Sequence, residues 1–369
     1  MAKIEDIPNP SVVNIAITGR CNLRCRYCFY ANEMVARDDL PTDIWLKFLQ
    51  DLRALKPMRV ILTGGEAFTR PDLFELIDGI IANRMRYSIL SNGTLITKEI
   101  IEQFAVGKRR MRLNYIQVSI DGSRAEIHDQ SRPKSFERAL RGLKLLMAAE
   151  LPVIVRVTIG KYNLNDLENI AHLLLDELGL PSFGTNEAMP IGSGCDNQPE
   201  LALTPTEKLV AMRRLEQLLQ RYPGRITGNA GPMACISMYT DMENARQTGQ
   251  PASGWTMGSL SGCGAPFSQL DILHDGTIVP CHMLPGLRLG NIQTHSLVEV
   301  WRSHPALSAL RQRRSIPMHQ VPGCEDCEWA AFCSGSCPGL AYQLTGDVNR
   351  ADPLSCYRHF VTETGERYG

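Results

Sequence analysis

Cys21, Cys25 and Cys28 fall within eight residues, three residues separating the first pair and two the second. Three thiolates on one tight loop can hold three irons of a cubic iron–sulfur cluster and leave the fourth iron without a protein ligand. A structural site closes its coordination, whereas an open position admits a small molecule, so this loop is a place for chemistry. Zinc is the other reading, because zinc ligand pairs also take two to four intervening residues. Of twelve cysteines, none lies between Cys28 and Cys195, and seven stand from Cys263 to Cys356: Cys263, Cys281, Cys324, Cys327, Cys333, Cys337 and Cys356. Seven do not divide into complete four-ligand zinc sites.

The cysteine loop follows an apolar strand, Val12 to Thr18, and a breaker at Gly19. Thr42 reads as the N-cap of a helix whose apolar Ile44, Trp45, Phe48, Leu49, Leu52 and Leu55 recur at helical spacing, ended by Pro57. The strand Val60–Leu62 then runs into Thr63-Gly64-Gly65-Glu66. The rhythm repeats: helices over about 70–82, 97–106, 136–149 and 164–178 alternate with strands ending at Ser91-Asn92, at Ser119 to Asp121, at Ile159 and near Ala188. About six β–α units before residue 205 imply a parallel sheet with crossover helices. The polar and glycine-rich residues stand at strand C-terminal ends, where such folds place active sites. An open, incomplete barrel accounts for both features. Residues 1–11 read as a lead-in, 12–204 as the barrel, 205–255 as a bridging helix and loop, and 256–369 as a cysteine-rich domain held by metal. Residues 223–262 read as loop-rich.

With 44% hydrophobic residues in 369, the chain can bury a large core. Lys+Arg and Asp+Glu are both 39, so no global field steers it to nucleic acid or an anionic membrane. Lys108-Arg109-Arg110 and Arg311-Gln312-Arg313-Arg314 read as a solvated turn and a cationic helix end. No apolar run reaches the length of a membrane span, and Met1 to Asp6 lack the regions of a signal peptide. The expectation is a cytoplasmic protein, in which clustered cysteines point to metal rather than disulfides.

With these residues in place, the chain resembles the radical S-adenosylmethionine enzymes, whose fold is a partial (β/α)6 TIM-like barrel. The resemblance implies a four-iron four-sulfur cluster on Cys21, Cys25 and Cys28, its open iron chelated by the methionine end of S-adenosylmethionine. Reductive cleavage then yields a 5′-deoxyadenosyl radical that takes a hydrogen atom from substrate. Gly64-Gly65-Glu66 resembles the family's GGE motif, which implies that Glu66 contacts the methionine ammonium; Ala67 stands where proline is common. The same resemblance places Tyr27 and the backbone around Ile191, in Pro190-Ile191-Gly192, near the adenine. It places Ser91, Asn92, Ser119, Asp121 and Arg156 where groups touch the methionine carboxylate or the ribose.

The later cysteines resemble a SPASM domain, which carries two auxiliary iron–sulfur clusters, making three clusters in all. Carried over by position, Cys324, Cys327, Cys333 and Cys356 would ligate the outer cluster and Cys263, Cys281 and Cys337 the inner one. Some relatives supply a further inner ligand shortly before the Cys263 position, where this chain has Gly254 to Gly258 and no cysteine. Cys235 is either a ligand from farther away or an ordinary buried residue, and Cys195 reads as the latter. His282 occupies a position that holds an acid/base residue in some relatives, and a structural histidine is the alternative.

SPASM-bearing enzymes mostly modify ribosomally made peptides or protein side chains by cross-linking, oxidation or backbone excision. The segment from Cys324 to Arg350, with Leu344-Thr345-Gly346-Asp347, resembles the branch containing the pyrroloquinoline quinone peptide cross-linking enzyme; Nif11-type peptide spliceases lie nearby. The expected substrate is therefore a precursor peptide. About eleven residues precede the first strand, so a separate leader-binding partner protein is expected, with a flavodoxin or ferredoxin as electron donor. Alternatives are modification of a small molecule such as a tetrapyrrole, and a non-catalytic iron–sulfur scaffold.

Overall fold

The computed structural model describes residues 7–34, 38–250 and 257–368. Six strands follow one another in parallel: β1 Val12–Thr18, β2 Arg59–Gly64, β3 Arg86–Ser91, β4 Leu113–Ser119, β5 Val153–Ile159 and β6 Phe183–Glu187. The expected partial barrel is present. Helices cross between them, chiefly α1 Thr42–Leu52, α2 Leu73–Ala82, α3 Lys98–Gln103, α4 Phe136–Ala148 and α5 Leu167–Ala171.

Strand side chains alternate between two faces, and here the two faces differ in chemistry. Val13, Ile15, Ile17, Val60, Leu62, Tyr87, Ile89, Ile116, Val118, Val155 and Val157 form one buried cluster with Trp45, Phe48, Leu49 and Leu52 of α1 and the facing residues of the other helices. The intervening row carries Ile61, Leu90 and Ile154 but is otherwise small or polar: Asn14, Ala16 and Thr18, then Thr63, Ser88, Gln117, Ser119, Arg156 and Thr158. A sheet built only for packing would be apolar on both faces. The polar row marks the inner side of the barrel.

The sheet continues past residue 204. A seventh parallel strand, β7 Ile226–Gly228, pairs with β6, and β8 Gln269–Ile272 pairs in parallel with β1 at the opposite edge. β8 turns into antiparallel β9 Thr277–Val279, followed by β10 Gly290–Asn291, which gives the order β10-β9-β8-β1-β2-β3-β4-β5-β6-β7. The cysteine-rich segment is thus hydrogen-bonded to the barrel's first strand, with Asn14 Nδ2 donating to Asp271 Oδ1 at 2.7 Å.

Several local expectations change. Between α6 Pro205–Arg221 and β8, the stretch read as loop-rich contains α7 Pro232–Thr248. The start and stop signals were present, Pro232 in the first turn and Gly249 in the left-handed conformation after the last. Cys235, Tyr239, Met242 and Ala245 recur at helical spacing and are buried, and beside them α7 buries Glu243, which accepts from the Trp329 indole N–H at 3.0 Å and pairs with Arg246. Pro41 stands at the N-cap position of α1, which no side chain caps, and the Thr42 hydroxyl donates to Asp72 at 2.5 Å. The helix expected over 164–178 is a 3₁₀ turn, α5 and a π turn in succession. Arg109 is buried rather than solvated and is held by Asp78 at 2.6 Å; Arg311 and Arg313 stand at the expected helix end but are buried there. Cys195 is exposed, not buried, at the surface end of a short turn. Residues 254–256, part of the cysteine-free stretch before Cys263, and residues 1–6 of the lead-in lie outside the described residues.

Trp301, on α8 Leu297–Ser303, is fully buried; its indole N–H donates to Pro8 O at 3.0 Å and the Arg311 guanidinium stacks 4.6 Å from its ring. Removing so large a buried side chain costs about 3–5 kcal/mol. Trp301→Ala is expected to lower the urea midpoint of unfolding by the corresponding amount at unchanged slope, measured by far-UV circular dichroism.

Candidate active site and iron–sulfur ligands

The cysteine loop is positioned by backbone. Gly65 N–H donates to Thr18 O and Glu66 N–H to Arg20 O, both at 2.8 Å, which presses the end of β2 onto the entry to the loop. A Cβ on Gly64 would stand 2.2 Å from Thr18 O, and one on Gly65 2.1 Å from Arg20 O. Only glycine permits this approach. On the other side, Ser193 N–H donates to Cys28 O at 3.1 Å and Ser193 Oγ to Cys25 O at 2.9 Å. The segment containing the buried Ile191 therefore lies against the loop.

Cys21, Cys25 and Cys28 share the wall of a cavity of about 150 Å³ with Tyr27, Gly65, Glu66, Ser91, Asn92 and Ser119. Thr63, Leu90 and Gln117 from the inner row complete it, together with Arg132. Glu66 is buried and accepts from Ser91 Oγ (2.8 Å), Asn92 N–H (2.7 Å) and Phe68 N–H (3.3 Å). Burial raises its pKa against these three bonds. Ser91 thus gives its hydroxyl hydrogen to Glu66, and Asn92 reaches Asn22 of the cysteine loop at 2.9 Å. A fixed carboxylate facing three thiols can hold an ammonium group beside a metal cluster.

Asp121 and Arg156, expected beside the ligand, are not among the residues lining this cavity. Asp121 is fully buried; it accepts from Arg132 Nε at 2.6 Å, from Thr158 N–H at 2.7 Å and from the Tyr27 hydroxyl. It stands behind the two groups that do line the cavity. Arg156 bonds Thr185 O at 3.3 Å and Gln117 at 3.4 Å within the barrel wall. Arg132 escaped the sequence reading. Its guanidinium lies 5.2 Å from the Tyr27 ring centroid and 3.6 Å from Cys25 Sγ. The buried acid at the end of β4 calls for such a partner, but no spacing in the sequence says which arginine supplies it.

A second cavity of about 340 Å³ lies between the barrel end and the cysteine-rich segment. Glu187, Met189 and Gly231 line one side, Cys263, Met283 and Cys337 the other, and Cys235 of α7 is also on its wall. Cys281 has Cys263 and Cys337 as electrostatic neighbours, while Cys333 has Cys324, Cys327 and Cys356. The seven thiols therefore fall into a group of three and a group of four. Cys235 has Lys208, Glu187 and Asp352 as its charged neighbours. His282 has both ring nitrogens engaged, Nδ1 with Asp271 at 3.0 Å and Nε2 with Ile272 O at 3.3 Å, and it lines neither cavity. It bridges the hairpin to Asp271, whose Oδ2 also accepts the His282 N–H at 2.7 Å.

One local device recurs in all three cysteine groups. The backbone N–H two residues onward points at the sulfur: Leu23 to Cys21 at 3.4 Å, Met283 to Cys281 at 3.4 Å and Gly335 to Cys333 at 3.3 Å. Such bonds favour thiolate, against burial that lifts Cys28 to about 11 and Cys333 to about 12. A bound cation reverses that balance and holds the sulfurs deprotonated. Among the described residues no three His, Cys, Asp or Glu side chains converge tightly enough for a single ion. The donor set and the cavities fit iron–sulfur clusters.

A parallel α/β barrel with a three-thiol loop at its mouth and a second thiol-rich segment defines a redox enzyme of the iron–sulfur class. Residues 15–174 match the Radical SAM superfamily and residues 263–328 the SPASM iron–sulfur cluster-binding domain. The chain is 30% identical over 362 residues to the AdoMet-dependent heme synthase of Methanosarcina barkeri, covering 95% of this chain and 97% of that one. It is 27% identical over 354 residues to the PqqA peptide cyclase of Methylocella silvestris, covering 94% and 88%. In fold it is similar to Streptococcus suis SuiB bound to precursor peptide SuiA, with a TM-score of 0.72 at 15% identity over 94% of this chain and 76% of that one. The chain belongs to the radical SAM superfamily, with a C-terminal SPASM domain. Membership brings a four-iron four-sulfur cluster and S-adenosylmethionine to the barrel, and iron–sulfur binding to the SPASM domain. No helix among the described residues is long and apolar enough to cross a membrane.

The support behind Asp121 is pH-sensitive. Asp121 N–H donates to His128 Nδ1 at 3.0 Å, so that nitrogen is unprotonated and Nε2–H faces Ser135 Oγ at 3.0 Å. Burial holds His128 down at about 4, from an ordinary value of 6.5. Between those values the unfolded chain takes up a proton that the native state refuses. The stability is fully present above about pH 6.5 and is lost as pH falls toward 4, by about 3 kcal/mol for this group. Urea titrations at pH 7.5 and 5 are expected to show a steeper loss for the native protein than for His128→Gln.

Proposed function

We propose that this radical SAM enzyme modifies a ribosomally made peptide or a protein side chain seated in the cavity between barrel and SPASM domain. When bound, the cluster and S-adenosylmethionine supply a 5′-deoxyadenosyl radical that abstracts a hydrogen atom from substrate. The chain's own residues hold and orient these groups. Cys21, Cys25 and Cys28 are assigned to the cluster, and Glu66 to the methionine ammonium. Ser91 and Asn92 fix Glu66, Arg132 is aimed at the cluster side of Tyr27, and Ile191 and Tyr27 border the adenine. Residues 12–204 act as the catalytic barrel, 205–255 as the bridge and 256–369 as the SPASM domain, with β7 and β8 as strands that the outer segments lend to the barrel sheet. Cys263, Cys281 and Cys337 are assigned to an inner auxiliary cluster, and Cys324, Cys327, Cys333 and Cys356 to an outer one. A separate leader-binding protein delivers the peptide, and a flavodoxin or ferredoxin supplies electrons.

The observation that carries the peptide reading is the cavity's chemistry. Among the described residues its lining holds two carboxylates, Glu187 and Asp352, and no lysine, arginine or histidine. Lys208 pairs with Glu187 at 3.0 Å but is not on the cavity wall. Glu187 is paired and burial raises the pKa of both carboxylates, but the wall offers no cation, so a tetrapyrrole bearing several carboxylates would bury them there without a partner. Neutral or cationic peptide segments meet no such penalty. The tetrapyrrole reading rests on a different observation, the 30% identity to the heme synthase over nearly the full length of both chains.

Reduced enzyme incubated with S-adenosylmethionine and either candidate precursor peptides or an iron tetrapyrrole is expected to release 5′-deoxyadenosine and change substrate mass only with peptide. Turnover of the tetrapyrrole alone would replace the peptide reading. Glu66→Gln keeps the size of the side chain and loses its charge; it is expected to weaken S-adenosylmethionine binding roughly ten- to hundredfold. Iron content should not change, as read by anaerobic calorimetry and iron assay. Fully loaded protein is expected to carry about twelve irons, from three four-iron clusters, and Cys263→Ala to carry about four fewer.

A further inference from the structure

The run Arg311-Gln312-Arg313-Arg314 lies beside the inner thiol group. Leu260 N–H donates to Ile316 O at 3.0 Å and Met318 N–H to Gly258 O at 2.8 Å, so residues 316–318, directly after the turn Arg313–Ser315, run along the segment that leads to Cys263. The three arginines have different surroundings. Arg311 donates to Pro266 O and Trp301 O, both at 2.8 Å. Arg314 is exposed, its guanidinium 3.9 Å from the Phe267 ring centroid. Arg313 is 3% exposed, and its Nε and Nη2 are buried without a hydrogen-bond partner among the described residues. The acidic groups whose charges reach it are Cys263, Cys337 and Asp347. Asp347 is at the surface and accepts from Asn349 N–H, so it does not neutralise a buried guanidinium.

A buried cation with unpaired donors is costly unless an anion meets it. The thiolates of Cys263 and Cys337, carrying a cluster, provide that anion. We propose that Arg313 is the counter-charge of the inner auxiliary cluster on Cys263, Cys281 and Cys337 and raises its reduction potential; this rests on the cluster assignment above. A nearby positive charge and N–H donors toward cluster sulfur both favour the more negative, reduced state. The cluster is thereby a better electron acceptor than the same thiols alone would make it.

The test is potentiometric titration monitored by electron paramagnetic resonance on reconstituted wild-type, Arg313→Gln, Arg313→Lys and Arg314→Gln proteins, with iron and sulfide counted in each. Arg313→Gln is expected to keep its iron and lower the equilibrium constant for reducing this cluster about tenfold, about 59 mV for one electron. Arg313→Lys, which keeps the charge but not the fork, is expected to fall by less, and the exposed Arg314→Gln by less still. An unchanged potential in Arg313→Gln at full iron content overturns the proposal, as does an equal shift in Arg314→Gln. If Arg313→Gln fails to load iron, Arg313→Met, which fills the site without the charge, decides, because a potential equal to wild type at full iron content overturns the proposal there too. Cys263→Ala separates the two levels: retention of the wild-type iron count and spectrum would show that the cluster assignment, not the role of Arg313, has failed.

Discussion

The contact on which the site depends is the backbone seam between β1 and the end of β2. Thr18 and Arg20 carbonyls accept the N–H groups of Gly65 and Glu66 with no room for a side chain between them. That seam fixes two things together. It sets where the cysteine loop leaves β1, and it sets Glu66 opposite the thiols. Ser91 and Asn92, from the next strand, then hold the carboxylate in place. A wider seam would separate the carboxylate from the cysteines and leave a buried charge without its geometry.

Behind this first layer is a second one built on buried charge. Asp121 gathers Arg132, Tyr27 and the Thr158 amide, and His128 holds the Asp121 backbone. Burying so many polar groups is favourable only when each finds a partner. The arrangement therefore aims Arg132 and Tyr27 at the cavity and leaves Asp121 out of direct contact with it. The polar inner row of the strands and the apolar row facing the helices follow from the same two-residue period.

The C-terminal segment is joined to the barrel by β8, which adds to β1 and so shares a strand with the cysteine loop. Two thiol groups, a cavity with an acidic lining and a buried arginine are thereby brought to the open end of the barrel. Leu270, Ile278, Leu297 and Trp301 join the barrel's broad core, whereas the elements bearing the four-thiol group pack in small clusters around Met318 and Trp329. Thiol ligation is what such a segment has available to hold it together.

Much of this was legible in the chain itself. Cysteine spacing, the glycine pair before Glu66 and the repeated strand–helix rhythm are local patterns, and local patterns survive in one dimension. The family and the barrel could be read from them, whereas the division of the later thiols into three and four came only from the family resemblance. Thr63, Gln117 and Ser119 share one inward phase, so the alternation could have found the first two as well. What the tertiary structure decided are the long-range pairings. Arg132 rather than another arginine meets Asp121, β8 joins β1 across more than 250 residues, and α7 buries Glu243 beside its apolar stripe because Trp329 and Arg246 satisfy that carboxylate. Arg313 looked like one more cation at a helix end, because burial depends on what packs over a residue and not on its neighbours in sequence. The sequence by itself determined the chemistry of the thiol loop and its carboxylate; only the fold decided which charges surround them, since desolvation and pairing are properties of three-dimensional neighbours.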